Sequence, residues 1–282
     1  MKNLSLKDFI PPVLIRFVRP RMRRHGWHGN FASWDEAKKA SSGYDDIMIL
    51  EKVSQAVLKV KRGEAAYERD SILFDSVDYS WPLVAGLLWI GSRSNNRLSV
   101  LDFGGSLGSS YFQNMKFLSH LDRLRWSIVE QKHFVDRGKQ MFEDECLRFY
   151  HDISTCATQE HPNILLCSSV LSYLEKPFEF LNLVAGLDIP FIIVDQTLFL
   201  NGDGGDRLTV QRVPPSIYTA SYPCWIFNKK KFLKVLTEKF SLVEEFDAHM
   251  GTTVDLGDAV ASFKGFIFQS VEHNKGLPSR DR

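Results

Sequence analysis

Leu98-Ser99-Val100-Leu101-Asp102-Phe103-Gly104-Gly105-Ser106-Leu107-Gly108 decides the fold of this chain. Val100 and Leu101 are adjacent and apolar, so their strand is covered on both faces, as strands of a parallel sheet are. Gly104, Gly105 and Gly108 permit a tight turn and a close backbone approach. A helix opening near Ser106 turns its unpaired N–H groups toward whatever the glycines approach, which suits a nucleoside-type ligand. A dinucleotide fingerprint, G-x-G-x-x-G, fails in both registers: counted from Gly104 its second glycine is Ser106, and counted from Gly105 it is Leu107. What remains is D-x-G-x-S-x-G over Asp102, Gly104, Ser106 and Gly108. A bare strand-to-helix turn uses the same glycines, so neighbouring segments must decide.

The next strand, Arg125 to Glu130, ends in an acid where folds of this kind hold ribose hydroxyls. A carboxylate accepts both hydroxyl hydrogens and repels a ligand with an extra ribose phosphate. Glu130 is therefore the expected ribose ligand; a solvated strand end is the plainer alternative.

From Leu98 onward strands and helices alternate: strand 98–103, helix 106–120, strand 125–130, helix 132–143, strands 146–150 and 163–168, helix 177–187 and strand 190–195. Helix 229–239 then leads to strand-like runs at Leu242–Phe246 and Phe263–Gln269. Seven strands with helical crossovers predict a mostly parallel sheet. Ahead of it, residues 30–91 read as helical, with a capping box at Ser33 and Glu36, a helix capped by Asp45 or Asp46 and ending at Gly63, and a buried helix at Pro82–Ile90. The expected organisation is a basic arm over 1–29, a helical lid or substrate segment over 30–91, the nucleotide-binding domain over 92–273 and a tail over 274–282.

The chain has 282 residues and a formal net charge of +1, which gives no electrostatic footprint for nucleic acid. Cys146, Cys156, Cys167 and Cys224 show no C-x-x-C spacing, so neither a metal site nor a disulfide framework is expected, and a reducing cytoplasm fits. The apolar piece Phe9–Val18 is interrupted by Pro11, Pro12 and Arg16, too short to span a bilayer and without a cleavage site. Arg16, Arg19, Arg21, Arg23 and Arg24 form either a solvated arm or a weak peripheral contact with anionic lipid.

The D-x-G-x-S-x-G turn resembles the first motif of class I S-adenosylmethionine-dependent methyltransferases, with serine in the middle glycine slot. Ile164–Pro177 is similar to the fourth-strand motif V-L-x-H-L-x-x-P of small-molecule methyltransferases, Tyr173 standing where histidine is common. Together with Asp195-Gln196-Thr197, Arg207–Tyr218 and Ser221–Trp225, these segments resemble a group of methyltransferase-like proteins from bacterial surface-polysaccharide settings. The resemblance runs from about Trp27 to Phe246 and takes in Gly43-Tyr44 and Tyr67–Asp70. It implies a Rossmann-like seven-stranded sheet with an antiparallel last strand, and S-adenosylmethionine as cofactor. Ser106 and Tyr173 depart from the broader class, and the second departure removes a histidine base from that strand end.

On this resemblance Asp102, Gly104, Gly105, Ser106, Gly108 and Glu130 are cofactor-binding candidates. Asp152 is added as an acceptor for the adenine amino group, and Ser168 and Ser169 beside the methionine end. Tyr173, Asp195 and His28 are catalytic candidates; His249 is a further histidine, and His151 packs near adenine. The long segment Gln196–Pro223 reads as a lid loop, with Arg207 and Arg212 as an anion clamp and Tyr218, Tyr222 and Trp225 as stacking rings. Tyr44 and Asp70 face them across the gap. The implied reaction is methyl transfer to a small or glycan-related acceptor, at oxygen. Two alternatives stand beside it: an inactive methyltransferase-like scaffold in a biosynthetic complex, and an NAD-dependent sugar-modifying enzyme. The second lacks both the glycine fingerprint and a Tyr-x-x-x-Lys pair, since Pro177 follows Tyr173 at the lysine position.

Overall fold

The computed structural model describes residues 25–43, 46–248 and 253–274. The arginine-rich stretch to residue 24, Tyr44, Asp45, His249 and the tail beyond 274 lie outside the described residues. In chain order the elements are β1 (Gly26–His28), α1 (Trp34–Lys39), α2 (Asp46–Lys61), β2 (Tyr67–Arg69), β3 (Ile72–Phe74), α3 (Trp81–Arg93), β4 (Arg97–Phe103) and α4 (Ser109–Leu118). They continue with β5 (Arg123–Val129), α5 (Lys132–Met141), β6 (Leu147–Tyr150), α6 (Ile153–Glu160), β7 (Ile164–Ser168), a 3-10 turn (Leu171–Tyr173) and α7 (Pro177–Val184). The last third holds β8 (Phe191–Leu200), β9 (Arg207–Arg212), β10 (Ser221–Ile226), α8 (Lys229–Thr237), β11 (Phe240–Asp247), β12 (Thr253–Asp255), β13 (Val260–Ser270) and α9 (Val271–Asn274).

The main sheet runs β11-β13-β8-β7-β4-β5-β6, with β12 paired to β13 outside this path. Strands β4 to β8 pair in parallel, and β13 pairs antiparallel to both β8 and β11. The expected Rossmann-like, seven-stranded, mostly parallel sheet with its last strand reversed is what the chain forms. Because side chains alternate across a strand, consecutive apolar residues feed opposite layers. Val100, Ile128 and Leu166 pack with α2, α3, α4 and α5 on one face. Leu101, Val129, Leu165 and Cys167 pack with α6, α7 and α8 on the other. Strand order reverses at β4, whose parallel neighbours are β5 on one side and β7 on the other. Such a switch point leaves a crevice outside the strand carboxyl ends, where ligands of doubly wound sheets bind.

Three segments differ from the sequence reading. Residues 67–74 are a hairpin of β2 and β3 rather than helix, since Asp70 (φ 52°) and Ser71 (φ 66°) make a left-handed turn. Residues 196–223 are not a single loop: β8 continues to Leu200, and β9 and β10 pair antiparallel along their length. Residues 26–28 of the expected arm form β1, which pairs with β9 and completes a separate three-stranded sheet. That sheet caps the crevice. Helix α1 packs on it through Ala37, Leu208 and Val210, with Ser33 as its N-cap accepting from the Glu36 amide as the capping box predicts. Ser42 N–H donates to Ser221 Oγ at 2.8 Å, tying the following turn to β10. No described helix is long and apolar enough to cross a membrane.

Candidate functional site

A cavity of about 770 Å³ opens at the carboxyl ends of β4, β5 and β7, beside Asp195 and Gln196 in the middle of β8. Its floor is the turn after β4. Gly104 has φ +74°, and a Cβ there would run into the Val170 side chain. A Cβ on Gly105 would collide with the Asp102 carboxylate. Ser106 takes a left-handed backbone, φ 54°, in the slot where a glycine is usual, and Gly108, φ 102°, is the N-cap of α4. The left-handed region is costly for a residue with a Cβ, which is why the motif prefers glycine there.

Asp102 is 1% exposed and accepts a hydrogen bond from Trp126 Nε1 at 2.9 Å. Burial pushes its carboxyl up to about 7, against the pull of the indole donor. Asp102 therefore holds the turn from beneath, while the backbone of Gly104, Gly105 and Ser106 lines the cavity. Glu130 and Gln131 follow β5 and line the same wall; Glu130 Oε2 accepts from the Gln131 amide at 2.6 Å.

The pairing of β7 with β8 stops at Ser168 opposite Asp195, midway along β8. Ser169 (φ 56°) and Gln196 (φ 48°) then turn left-handed, and both line the cavity, as Asp70 and Ser106 do. Strained non-glycine backbone of this kind persists where the surroundings over-determine it, and it collects at functional sites. Asp195 is fully buried; Ser168 Oγ donates to its Oδ2 at 3.5 Å, while Oδ1 has no hydrogen-bond partner. Burial raises its carboxyl to about 6.

The remaining wall is aromatic and comes from the cap. Tyr173 O–H donates to Gln211 Oε1 at 2.7 Å, and its ring meets that of Tyr222 edge-on at 5.3 Å. Tyr218, Trp27 and Trp34 also line this side. Glu68, which the sequence reading passed over because its segment looked helical, reaches in from β2. It is 2% exposed, accepts from Ser109 Oγ and from the Ser71 amide, and burial pushes it up to about 7.

Of the residues expected from sequence, Asp102, Gly104, Gly105, Ser106, Glu130, Ser168, Ser169, Tyr173, Asp195, Asp70, Tyr218 and Tyr222 meet in this cavity. Others do not. Asp152 is the N-cap of α6, accepts from the Thr155 amide at 2.8 Å and is absent from the cavity wall. One of its carboxylate oxygens is thus engaged at the helix terminus. Arg207 donates to Gly29 O at 3.0 Å and pairs with Asp258 at 2.6 Å, bonds that fasten the cap, and it is not among the residues of the cavity wall. Arg212 ends β9 exposed and outside the wall, and His28 sits in β1 beside the lining residue Trp27 without lining the cavity itself. Trp225 packs against Trp34 with ring centroids 6.4 Å apart, behind the wall. Tyr44 lies outside the described residues.

No protein-family model matches the chain, and no curated protein matches it in sequence. Among solved structures it is similar to the N-terminal domain of EvdMO1 crystallised in the presence of SAH and D-fucose, at 14% identity over 78% of this chain and 96% of that one, TM-score 0.46. It is similar to 1,6-didemethyltoxoflavin-N1-methyltransferase of Burkholderia thailandensis at 12% identity over 87% and 93%, TM-score 0.42. Magnesium protoporphyrin IX methyltransferase of Synechocystis PCC 6803 follows at 12% identity over 95% and 100%, TM-score 0.41.

Proposed function

We propose that this chain is an S-adenosylmethionine-dependent methyltransferase that acts on a small-molecule or glycan-related acceptor at oxygen. The observation that carries this reading is the turn between Asp102 and Gly108. Its backbone is kept bare by two positions where a Cβ would clash, and it lies at the switch point of the sheet with the Glu130 carboxylate one strand away. The residues present fit the donor. Glu130 would take the ribose hydroxyls, the turn would cradle the amino-acid portion, and Ser168 and Ser169 would border its methionine end. Bound there, the donor supplies a methyl group activated by a positively charged sulfur.

The chain's own part is to position and to receive a proton. Holding two reactants in line supplies much of the rate of such a displacement without a covalent intermediate. An acceptor hydroxyl loses its proton as the new bond forms. Tyr173 is unsuited to take it, because burial drives its phenol well above the usual range and its O–H is given to Gln211. Asp195 is suited: its Oδ1 is unpaired, and a carboxyl at about 6 is ionised at neutral pH yet more basic than an exposed one. The same reading places the chain in the cytoplasm, in polysaccharide biosynthesis, with the 1–29 arm as a weak membrane contact and no nucleic-acid partner.

Calorimetric titration with S-adenosylmethionine, S-adenosylhomocysteine and NAD tests the donor. Binding of the first two, lost together in Glu130→Ala and Asp102→Ala, supports the reading; binding of NAD alone, or of none, defeats it. Transfer of labelled methyl into glycan-precursor pools, lost in Asp195→Asn, tests the reaction.

A further inference from the structure

We infer that the acceptor carries a protonated amine, held by the Asp70 carboxylate inside a cage of Tyr173, Tyr218 and Tyr222. The inference rests on the methyltransferase reading for the word acceptor, and on the cavity itself for the amine.

Asp70 occupies the tip of the β2–β3 hairpin and lines the cavity. It forms no hydrogen bond or ion pair with any described residue. Its chain neighbour Arg69 lies over the Phe74 ring at 5.7 Å, and the carboxyl is raised by desolvation despite that cation. Asp70 shares the cavity wall with Tyr173, Tyr218 and Tyr222, of which Tyr173 and Tyr222 are in edge-on ring contact at 5.3 Å. An unpaired carboxylate among aromatic faces is the chemistry that binds ammonium groups, through charge-assisted hydrogen bonds and attraction to the ring quadrupoles.

The rest of the wall is rich in carboxyls, of which Glu68 and Asp102 are partly protonated near neutral pH because burial raises them. Glu68, Asp70, Asp102, Glu130 and Asp195 all line the cavity. The only cationic side chains there, among the described residues, are Lys38 and Arg69. The two arginines that would have welcomed a phosphate, Arg207 and Arg212, stand outside it. A nucleotide-linked or phosphorylated sugar would meet repulsion here, whereas an amino sugar or a related hydroxylated amine would not. Such a molecule presents an ammonium to Asp70 and a hydroxyl to Asp195.

The test uses ligand-observed NMR with matched probes, glucosamine and galactosamine against their N-acetylated forms, on the full chain with and without S-adenosylhomocysteine. Asp70→Asn is the variant of choice, because asparagine tolerates the left-handed backbone at that turn and keeps the side chain's shape. The expected result is a preference for the amines of about tenfold that disappears in Asp70→Asn, while affinity for S-adenosylhomocysteine stays within about twofold. Equal binding of the acetylated forms, a preference that survives in Asp70→Asn, or no binding of any probe overturns the inference. Failure of the wild-type chain to bind S-adenosylhomocysteine would instead overturn the donor reading, and the amine preference would still be read on the unloaded protein.

Discussion

The carboxylate of Asp102 fills the space that a side chain on Gly105 would need, so the acid beneath the turn and the bare backbone above it are one device. Trp126 fixes the carboxylate from the other side at 2.9 Å, leaving it no room to withdraw.

Gly105→Ala is therefore expected to lower stability by about 1–3 kcal/mol, the usual cost of overfilling a packed site. Urea denaturation measures this, and titration with S-adenosylhomocysteine should show weakened binding in the same variant. Wild-type values in both would mean that the turn is not held by Asp102.

Ser106→Gly should act in the opposite direction. A left-handed backbone costs a side-chain-bearing residue ~1–2 kcal/mol, part of which is offset by the greater freedom of glycine in the unfolded chain. A rise in the urea midpoint equivalent to about 0.5–1 kcal/mol is expected. A fall would show that the Ser106 hydroxyl stabilises the turn by more than its backbone costs.

Three buried carboxyls set the pH dependence. Glu68 is raised from 4.5 to about 7, Asp102 from 3.8 to about 7 and Asp195 from 3.8 to about 6, each chiefly by burial. In this window the folded chain holds protons that the unfolded chain has lost, so stability declines as pH rises from about 4 to about 7 and levels off above. The exposed acids Asp136, Asp152 and Asp203 are shifted downward and act with the opposite sign at lower pH, weakly because solvent screens them. Glu68→Gln should flatten the decline and raise stability above pH 7. Midpoints measured from pH 4 to 8 check this; an unchanged slope in the variant would remove Glu68 from the account.

Arg207→Ala should loosen the cap without touching a ligand. Its pair with Asp258 is largely solvent-exposed on the acid side, so a double-mutant cycle should give a coupling of about 0.2–1 kcal/mol. Inorganic phosphate should bind neither the wild type nor the variant in the cavity. Phosphate binding lost on substitution of Arg207 would restore the clamp role that the sequence suggested.

The main sheet was legible because its strands are short apolar runs between turn signals, and because the turn after β4 combines glycines with an acid whose purpose is local. Glu130 could be placed for the same reason, as an acid following an apolar strand; Asp195 was read the same way, although its strand runs on to Leu200. The cap could not. Strand β1 has three residues and pairs with β9 across most of the chain, and no local pattern announces such a partnership. Glu68 and Asp70 were hard to place together because the hairpin that presents them depends on Asp70 and Ser71 entering a left-handed turn, which neither residue type advertises as glycine would. Arg207 and Arg212 looked like an anion clamp when their segment was read as a loop; as strand residues, one is paired with Asp258 and the other is exposed and absent from the cavity wall.

Strand β1 and its partner β9 also fix an order of assembly. On a growing polypeptide the parallel layers around β4, β5 and β7 can collapse before the roof has any strand pairing, because β1 and β10 both pair with β9 and residues 26–28 must wait for 207–212 to emerge. The crevice is thus born open. Whatever enters early can reach the Asp102–Gly108 turn before the tyrosine side closes over it.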